Sequence, residues 1–231
     1  DMYNVAVGHA AGALITTGTN NTFLGGLSGD ANTTASQNTA VGYSALSANT
    51  TGYSNVGIGA DALEYNTTGY FNVACGKSAL GAVTTGAGNT GMGYAALYQA
   101  TTGGNNTGLG RGAGASVTTA SHNVLIGARG GDGVTTGAGN TLIGWESGSY
   151  GTVLTTGTTN TLVGAYNNTT AVNSVNAMGL GYNLDCAGGY TTLGSGSADI
   201  RAQHGVATWA TVSDQRYKKN IVDSEAGLSF I

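Results

Sequence analysis

Proline is absent from the 231 residues, charged side chains make up only 8%, and cysteine occurs twice. Disordered chains combine low hydrophobicity with high net charge and are often rich in proline. This chain is 40% apolar with a net charge of -4 and no Pro, so disorder is excluded as its organising principle. Cys75 and Cys186 are too few for a disulfide framework. No apolar run approaches the ~18 residues of a membrane-spanning helix, which argues against membrane insertion. The N-terminus carries no charged n-region followed by an apolar h-region, and the first residue, Asp1, makes a fragment or processed product the expectation. Residues 1–198 hold only Lys77, Arg111 and Arg129 as cations, so no basic stripe exists to bind nucleic acid.

Glycine is abundant instead. The chain holds 42 of them, far above the average usage of about 7%. Together with many Thr and Asn, this composition suits short stacked strands joined by tight turns.

A repeat decides the reading. Asn recurs as Asn4, Asn21, Asn38, Asn55, Asn72, Asn89, Asn106, Asn123 and Asn140, always 17 residues apart. Counting that Asn as unit position 1, Gly fills position 5, from Gly8 and Gly25 to Gly144. Position 4 is an apolar ladder: Val7, Leu24, Val41, Ile58, Cys75, Met92, Leu109, Ile126 and Ile143. Small residues such as Ala45, Ala62, Ala79 and Ala96 follow, and a Thr-Thr pair closes each unit, as at Thr50–Thr51. The next Asn-Thr-Leu-Val-Gly starts at Asn160, 20 residues after Asn140, which places an insertion near Tyr150. Weaker echoes run from Asn176 to Gly181 and from Thr191 to Gly194.

This unit is too short for a helix–turn–helix repeat and fits one coil of a solenoid. The expected fold is all-β, a parallel β-roll or β-solenoid with a 17-residue repeat, assembled as a parallel homotrimer. In this reading residues 1–165 are the repeat shaft, 166–196 degenerate repeats and 197–212 a neck. Position 4 is expected to point inward, which makes Cys75 a buried thiol. The Ala-Leu half of each unit is expected to form a second short strand. At ~4.8 Å per coil, nine coils span on the order of 45 Å. So thin a core calls for partners, with Leu46, Leu63, Leu80 and Leu97 facing a threefold axis.

Two resemblances add function. Residues 38–46, Asn-Thr-Ala-Val-Gly-Tyr-Ser-Ala-Leu, resemble the head repeats of YadA-like trimeric autotransporter adhesins, and the likeness runs over residues 4–165. It implies a trimeric parallel β-roll that adheres to surfaces. Residues 213–221, Ser-Asp-Gln-Arg-Tyr-Lys-Lys-Asn-Ile, resemble the start of the intramolecular chaperone domain of phage tailspikes and tail fibres, the endosialidase type. That family trimerises its fibre and then cuts itself off. The resemblance implies a nucleophile at Ser213, a general base at Lys218, cleavage after Val212, and a chaperone motif completed by Asp214, Arg216, Asn220 and Ile221. Residues 213–231 are then the truncated start of that domain. A Ser hydroxyl needs a neighbouring base to attack a carbonyl; the same Ser213 also reads as a helix N-cap with Asp214 in the first turn.

The resemblances jointly imply an extracellular, virion-borne tail fibre shaft that recognises a host-surface glycan or protein receptor. No cofactor and no metal is expected, and no turnover beyond self-cleavage. A bacterial YadA-like trimeric adhesin and a Thr-rich ice-binding β-solenoid are the alternatives. Other chemistry is thinner. His9, His122 and His204 are isolated in sequence, and a trimer axis would be needed to gather copies around a metal. Asp61 with Glu64, or Asp132 with Glu146, are the available carboxylate pairs for glycoside hydrolysis. Gly108-Leu109-Gly110-Arg111-Gly112 mimics a nucleotide loop but has no βαβ unit around it. Exposed aromatics are the best receptor-binding candidates: Tyr43, Tyr94 and Trp145 follow the fixed Gly, and Tyr65 and Tyr150 share another variable position. Variable sites in a rigid repeat point outward. They suit glycan stacking and equally suit packing between chains.

Overall fold

A computed structural model describes residues 3–206 and 209–211. Within them the chain is all-β, a parallel solenoid of about eleven turns. Three-residue strands mark the regular coils: β1 (Val5–Val7), β2 (Thr22–Leu24), β3 (Thr39–Val41), β4 (Val56–Ile58), β5 (Val73–Cys75), β6 (Thr90–Met92), β7 (Thr107–Leu109), β8 (Val124–Ile126), β9 (Thr141–Ile143) and β10 (Thr161–Val163). The tail of the sheet comprises β12 (Met178–Tyr182), β14 (Tyr190–Ser195), β15 (Ala198–Gln203) and β16 (Trp209–Thr211), while β11 (Asn168–Thr169) pairs separately with β13 (Asp185–Cys186). Pairing is parallel from β1 through β14 and antiparallel from β14 to β15 to β16. The register advances by 17 per coil, by 20 between β9 and β10 (Thr141 opposite Thr161), and by 13 between β12 and β14 (Met178 opposite Thr191). Among the described residues no helix is long and apolar enough to cross a membrane.

The repeated Asn is explained by hydrogen bonding. Its side chain is fully buried in each coil from Asn21 to Asn160. The Asn55 Nδ2 donates to Gly69 O at 2.9 Å, and its Oδ1 accepts from the backbone N–H of Asn72 at 3.0 Å. Each amide thus ties its own coil shut and holds the next one in register. A buried amide is tolerated because its partners are supplied. A second ladder joins Asn32, Asn49 and Asn66 through amide bonds of 2.9 and 2.8 Å. It ends where Val83 takes the slot, and Asn66 Oδ1 is left without a donor.

The strands face the opposite way from the sequence expectation. Position 3 is buried, as at Phe23, Ala40, Ala74, Leu125, Leu142 and Leu162. The position 4 ladder points outward: Val7, Leu24, Ile58, Met92 and Leu109 are 41–56% exposed. Cys75 is accordingly half-exposed, while Cys186 is the buried thiol. Because Asn at position 1 must point inward, strict alternation carries position 3 inward and position 4 outward.

The Ala-Leu half is not a strand. Ser44 and Leu46 have φ of +54° and +53°, and the same left-handed values recur at Asp61 and Leu63. Bonds between coils nevertheless continue there, with Leu46 N–H on Ala62 O at 3.0 Å and Leu63 N–H on Ala79 O at 3.1 Å. Leu46, Leu63, Leu80 and Leu97 are wholly buried inside their own chain, so they fill the coil rather than a threefold axis.

These leucines share one core file with position 3. Where position 3 is small (Ala40, Gly57, Ala74, Gly91), position 9 carries Leu46, Leu63, Leu80 or Leu97. Where position 3 is Phe23, Leu125 or Leu142, position 9 is Gly29, Gly131 or Gly148. The exchange is steric: a Cβ on Gly131 would lie 2.5 Å from Leu125 Cδ2, and one on Gly29 would lie 2.6 Å from Phe23 Cε1. Coil seven has Gly at both places, Gly108 and Gly114, and borrows Leu97 from the coil before and Leu125 from the coil after.

Candidate functional site

Every receptor-binding candidate is on the surface: Tyr43, Tyr65, Tyr94, Trp145 and Tyr150 are all exposed. The fold brings only two of them together. Trp145 and Tyr150 both lie against Tyr166, with ring centroids 4.9 and 4.8 Å from it. Tyr182 adds a fourth ring at 5.8 Å from Tyr166 in an edge-on geometry. Tyr43 and Tyr94 stand outside this group, and Tyr65 pairs instead with the Glu64 carboxylate, which raises its phenol pKa above the ordinary value. A second aromatic group, Tyr53, Tyr70 and Phe71, went unnoticed in the sequence; Tyr53 and Tyr70 stack at 5.0 Å with parallel planes.

The Trp145 cluster is built by the irregular coil. The three extra residues between β9 and β10 push the chain out around Tyr150, and Asn168 Oδ1 accepts the Tyr150 N–H at 3.1 Å. Asn168 Nδ2 also donates to Tyr166 O at 3.2 Å. Its neighbour Asn167 is fully buried, donating to Val163 O and Gly181 O and accepting the Leu184 N–H. Tyr166 itself sits at φ +58°, with its N–H on Trp145 O at 2.9 Å. Two buried amides therefore fix the backbone that carries the rings on successive coils. Partial desolvation, then the Glu146 carboxylate, raises the Tyr166 phenol above its ordinary pKa.

Beside these rings the surface is concave. A cleft of about 240 Å³ is lined by Tyr150, Tyr166, Tyr182 and Asn183. Asn183 also borders a polar notch of about 280 Å³, lined further by Asp185, Gly196, Ser197, Asp199 and Arg201. Arg201 Nη2 donates to Asp185 O at 2.8 Å and lies 3.4 Å from Asp199 Oδ2. Tyr182 comes from β12, Asp185 from β13 and Asn183 from the bend between them, and Asp199 and Arg201 come from β15, so the antiparallel turn-back of the sheet forms the notch.

The remaining sequence candidates do not converge on a site. Asp132 and Glu146 are both held by Arg129, at 3.2 and 2.6 Å, in an exposed ion-pair group. Among the described residues no group of three or more His, Cys, Asp or Glu is placed to hold a metal ion. The first Thr of each pair spends its hydroxyl on the next coil, as Thr50 on Thr67 O and Thr67 on Thr84 O, both 3.1 Å. Only the second Thr of a pair, as at Thr51, Thr68 and Thr85, is left as an exposed file. Ser213, Asp214, Arg216, Lys218, Asn220 and Ile221 lie outside the described residues. No protein family, curated protein or solved structure matches the chain.

Proposed function

We propose that this chain is the structural and receptor-binding shaft of a trimeric fibre of the viral (phage) tail type, released by self-cleavage before Ser213. The observation that carries the reading is the outward file of Val7, Leu24, Ile58, Met92, Leu109 and Leu180, each 41–56% exposed, along one face of the solenoid. A continuous apolar strip of this kind marks an interface. Two further copies of the chain are its fitting partners, because a periodic strip on a parallel solenoid matches an identical strip in the same register. The buried leucines leave this outer file, not the coil interior, as the surface facing the threefold axis.

The resemblance of residues 213–221 to the chaperone start supports the second half of the proposal. In that step Ser213 Oγ attacks the Val212 carbonyl, Lys218 takes the hydroxyl proton and returns it to the leaving amine, and water then hydrolyses the ester.

Native mass tests the assembly. The expected species has three times the 22.7 kDa chain mass, and Met92→Asp with Leu109→Asp shifts it to single chains. A wild-type monomer overturns the trimeric fibre. For cleavage, the full-length product is weighed with Ser213→Ala beside it. An uncut wild type removes the self-processing step.

A further inference from the structure

We propose that the notch where the sheet turns back is a carbohydrate subsite for a neutral sugar, with the tyrosine cleft beside it taking the adjoining ring. The inference rests on the receptor-binding reading above and names the chemistry of the receptor.

Three observations carry it. First, the two concavities adjoin through Asn183, one walled by Tyr150, Tyr166 and Tyr182, the other by Asp185, Asp199 and Arg201. Together they reach the ~300–1,000 Å³ range of small-ligand sites. Second, the polar side is incompletely satisfied. Asp199 is only 6% exposed, yet among the described residues its Oδ1 has no hydrogen-bond donor, and the Nε–H of Arg201 has no acceptor. Leaving such groups unpaired is costly. Third, Asn167 and Asn168 hold the backbone beneath the rings, and the rings pack on one another, so the apolar wall is in place before a ligand arrives.

A sugar fits both halves. Its C–H face packs on an aromatic ring, whose face is apolar and electron-rich. A vicinal diol offers O–H groups to donate and oxygens to accept, the complement of the Asp185 carboxylate, the Asn183 amide and the Arg201 guanidinium that line the notch. Charge selects among sugars. Two carboxylates, Asp185 and Asp199, line the notch with one guanidinium, Arg201, so sialic and uronic acids are repelled.

The test uses the full chain with soluble hexasaccharides of glucose, galactose, mannose and N-acetylglucosamine, and with sialyllactose as the acidic probe. Binding is followed by saturation-transfer NMR and by the fluorescence of Trp145. At least one neutral hexasaccharide is expected to bind, and sialyllactose is not. Tyr182→Ala weakens binding roughly tenfold, the worth of one aromatic contact. Asp185→Asn weakens it by roughly tenfold or more, as loss of a charge-assisted hydrogen bond does. Tyr182 and Asp185 are both exposed, so their variants keep the fold. Absence of binding to the whole neutral panel, preference for sialyllactose, or affinity unchanged in Tyr182→Ala overturns the proposal. Native mass is measured on the same samples: a trimer blind to sugar sinks only this site, and a sugar-binding monomer sinks only the fibre.

Discussion

Leu97 fills the space that Gly108 leaves empty in the following coil: a Cβ on Gly108 would lie 2.7 Å from Leu97 Cγ. The two positions are alternative sources of one core side chain, and they should be exchangeable. Leu97→Gly is expected to cost about 3 kcal/mol or more through the cavity it leaves. Gly108→Leu alone destabilises by overpacking. Leu97→Gly combined with Gly108→Leu recovers most of both losses, because Leu97 also sits at φ +51°, which Gly adopts freely. Denaturant unfolding of the two single variants and the double variant gives the coupling directly. Additive losses would contradict the shared slot.

The fixed Gly at position 5 is needed for another reason. Gly93 has φ +128°, and a Cβ there would stand 2.6 Å from Gly110 O. Gly93→Ala is therefore expected to cost on the order of 1–3 kcal/mol or more in unfolding free energy. A melting temperature equal to wild type would refute the close coil-to-coil approach.

The two Asn ladders should respond differently to the same change. Asn72→Val strips a partner from Gly86 O and from the Asn89 N–H, bonds of 2.8 and 2.9 Å. Each buried group left unpaired costs roughly 1–3 kcal/mol. Asn66→Val is expected to stay within about 1 kcal/mol of wild type, since it moves the orphan oxygen from Asn66 Oδ1 to Asn49 Oδ1 without adding a second one, and Gly69 O keeps its bond from Asn55. Equal losses at the two positions would undo the distinction.

The thiols separate by face. In the single chains released by Met92→Asp with Leu109→Asp, a thiol reagent is expected to label half-exposed Cys75, which shares the outward file with Ile58 and Met92, and to spare buried Cys186 until the chain unfolds. Burial is the main cause that pushes the Cys186 thiol from 9.0 to about 11. The unfolded thiol thus ionises first as pH rises. The contribution of Cys186 is whole below pH 9.0 and declines as pH climbs to about 11, a loss on the order of 2 kcal/mol. Cys186→Ala removes that decline, so comparing the two pH–stability curves isolates it from the tyrosines.

The sequence by itself determined the 17-residue period, the parallel coil, the three-residue insertion near Tyr150 and the exposure of Tyr43, Tyr65, Tyr94, Trp145 and Tyr150. Those are local or strictly periodic properties, and a period survives any choice of face. Which face turns inward was decided by tertiary structure. A one-residue slip reverses every side chain of a strand, and the apolar ladder at position 4 was the more hydrophobic of the two choices. The small residues at position 3 look like an empty interior until position 9 of the same file is seen to fill it, as Leu97 does for Gly108. Half of the aromatic site was likewise hidden. Tyr166 lies one place further from its fixed Gly164 than Trp145 does from Gly144, and Tyr182 follows Gly181 in a weak echo of the repeat. They meet Trp145 and Tyr150 where buried Asn167 and Asn168 stack those irregular coils. The notch of Asp199 and Arg201 depends on the antiparallel return of β15, a contact between segments that no repeat in the sequence records.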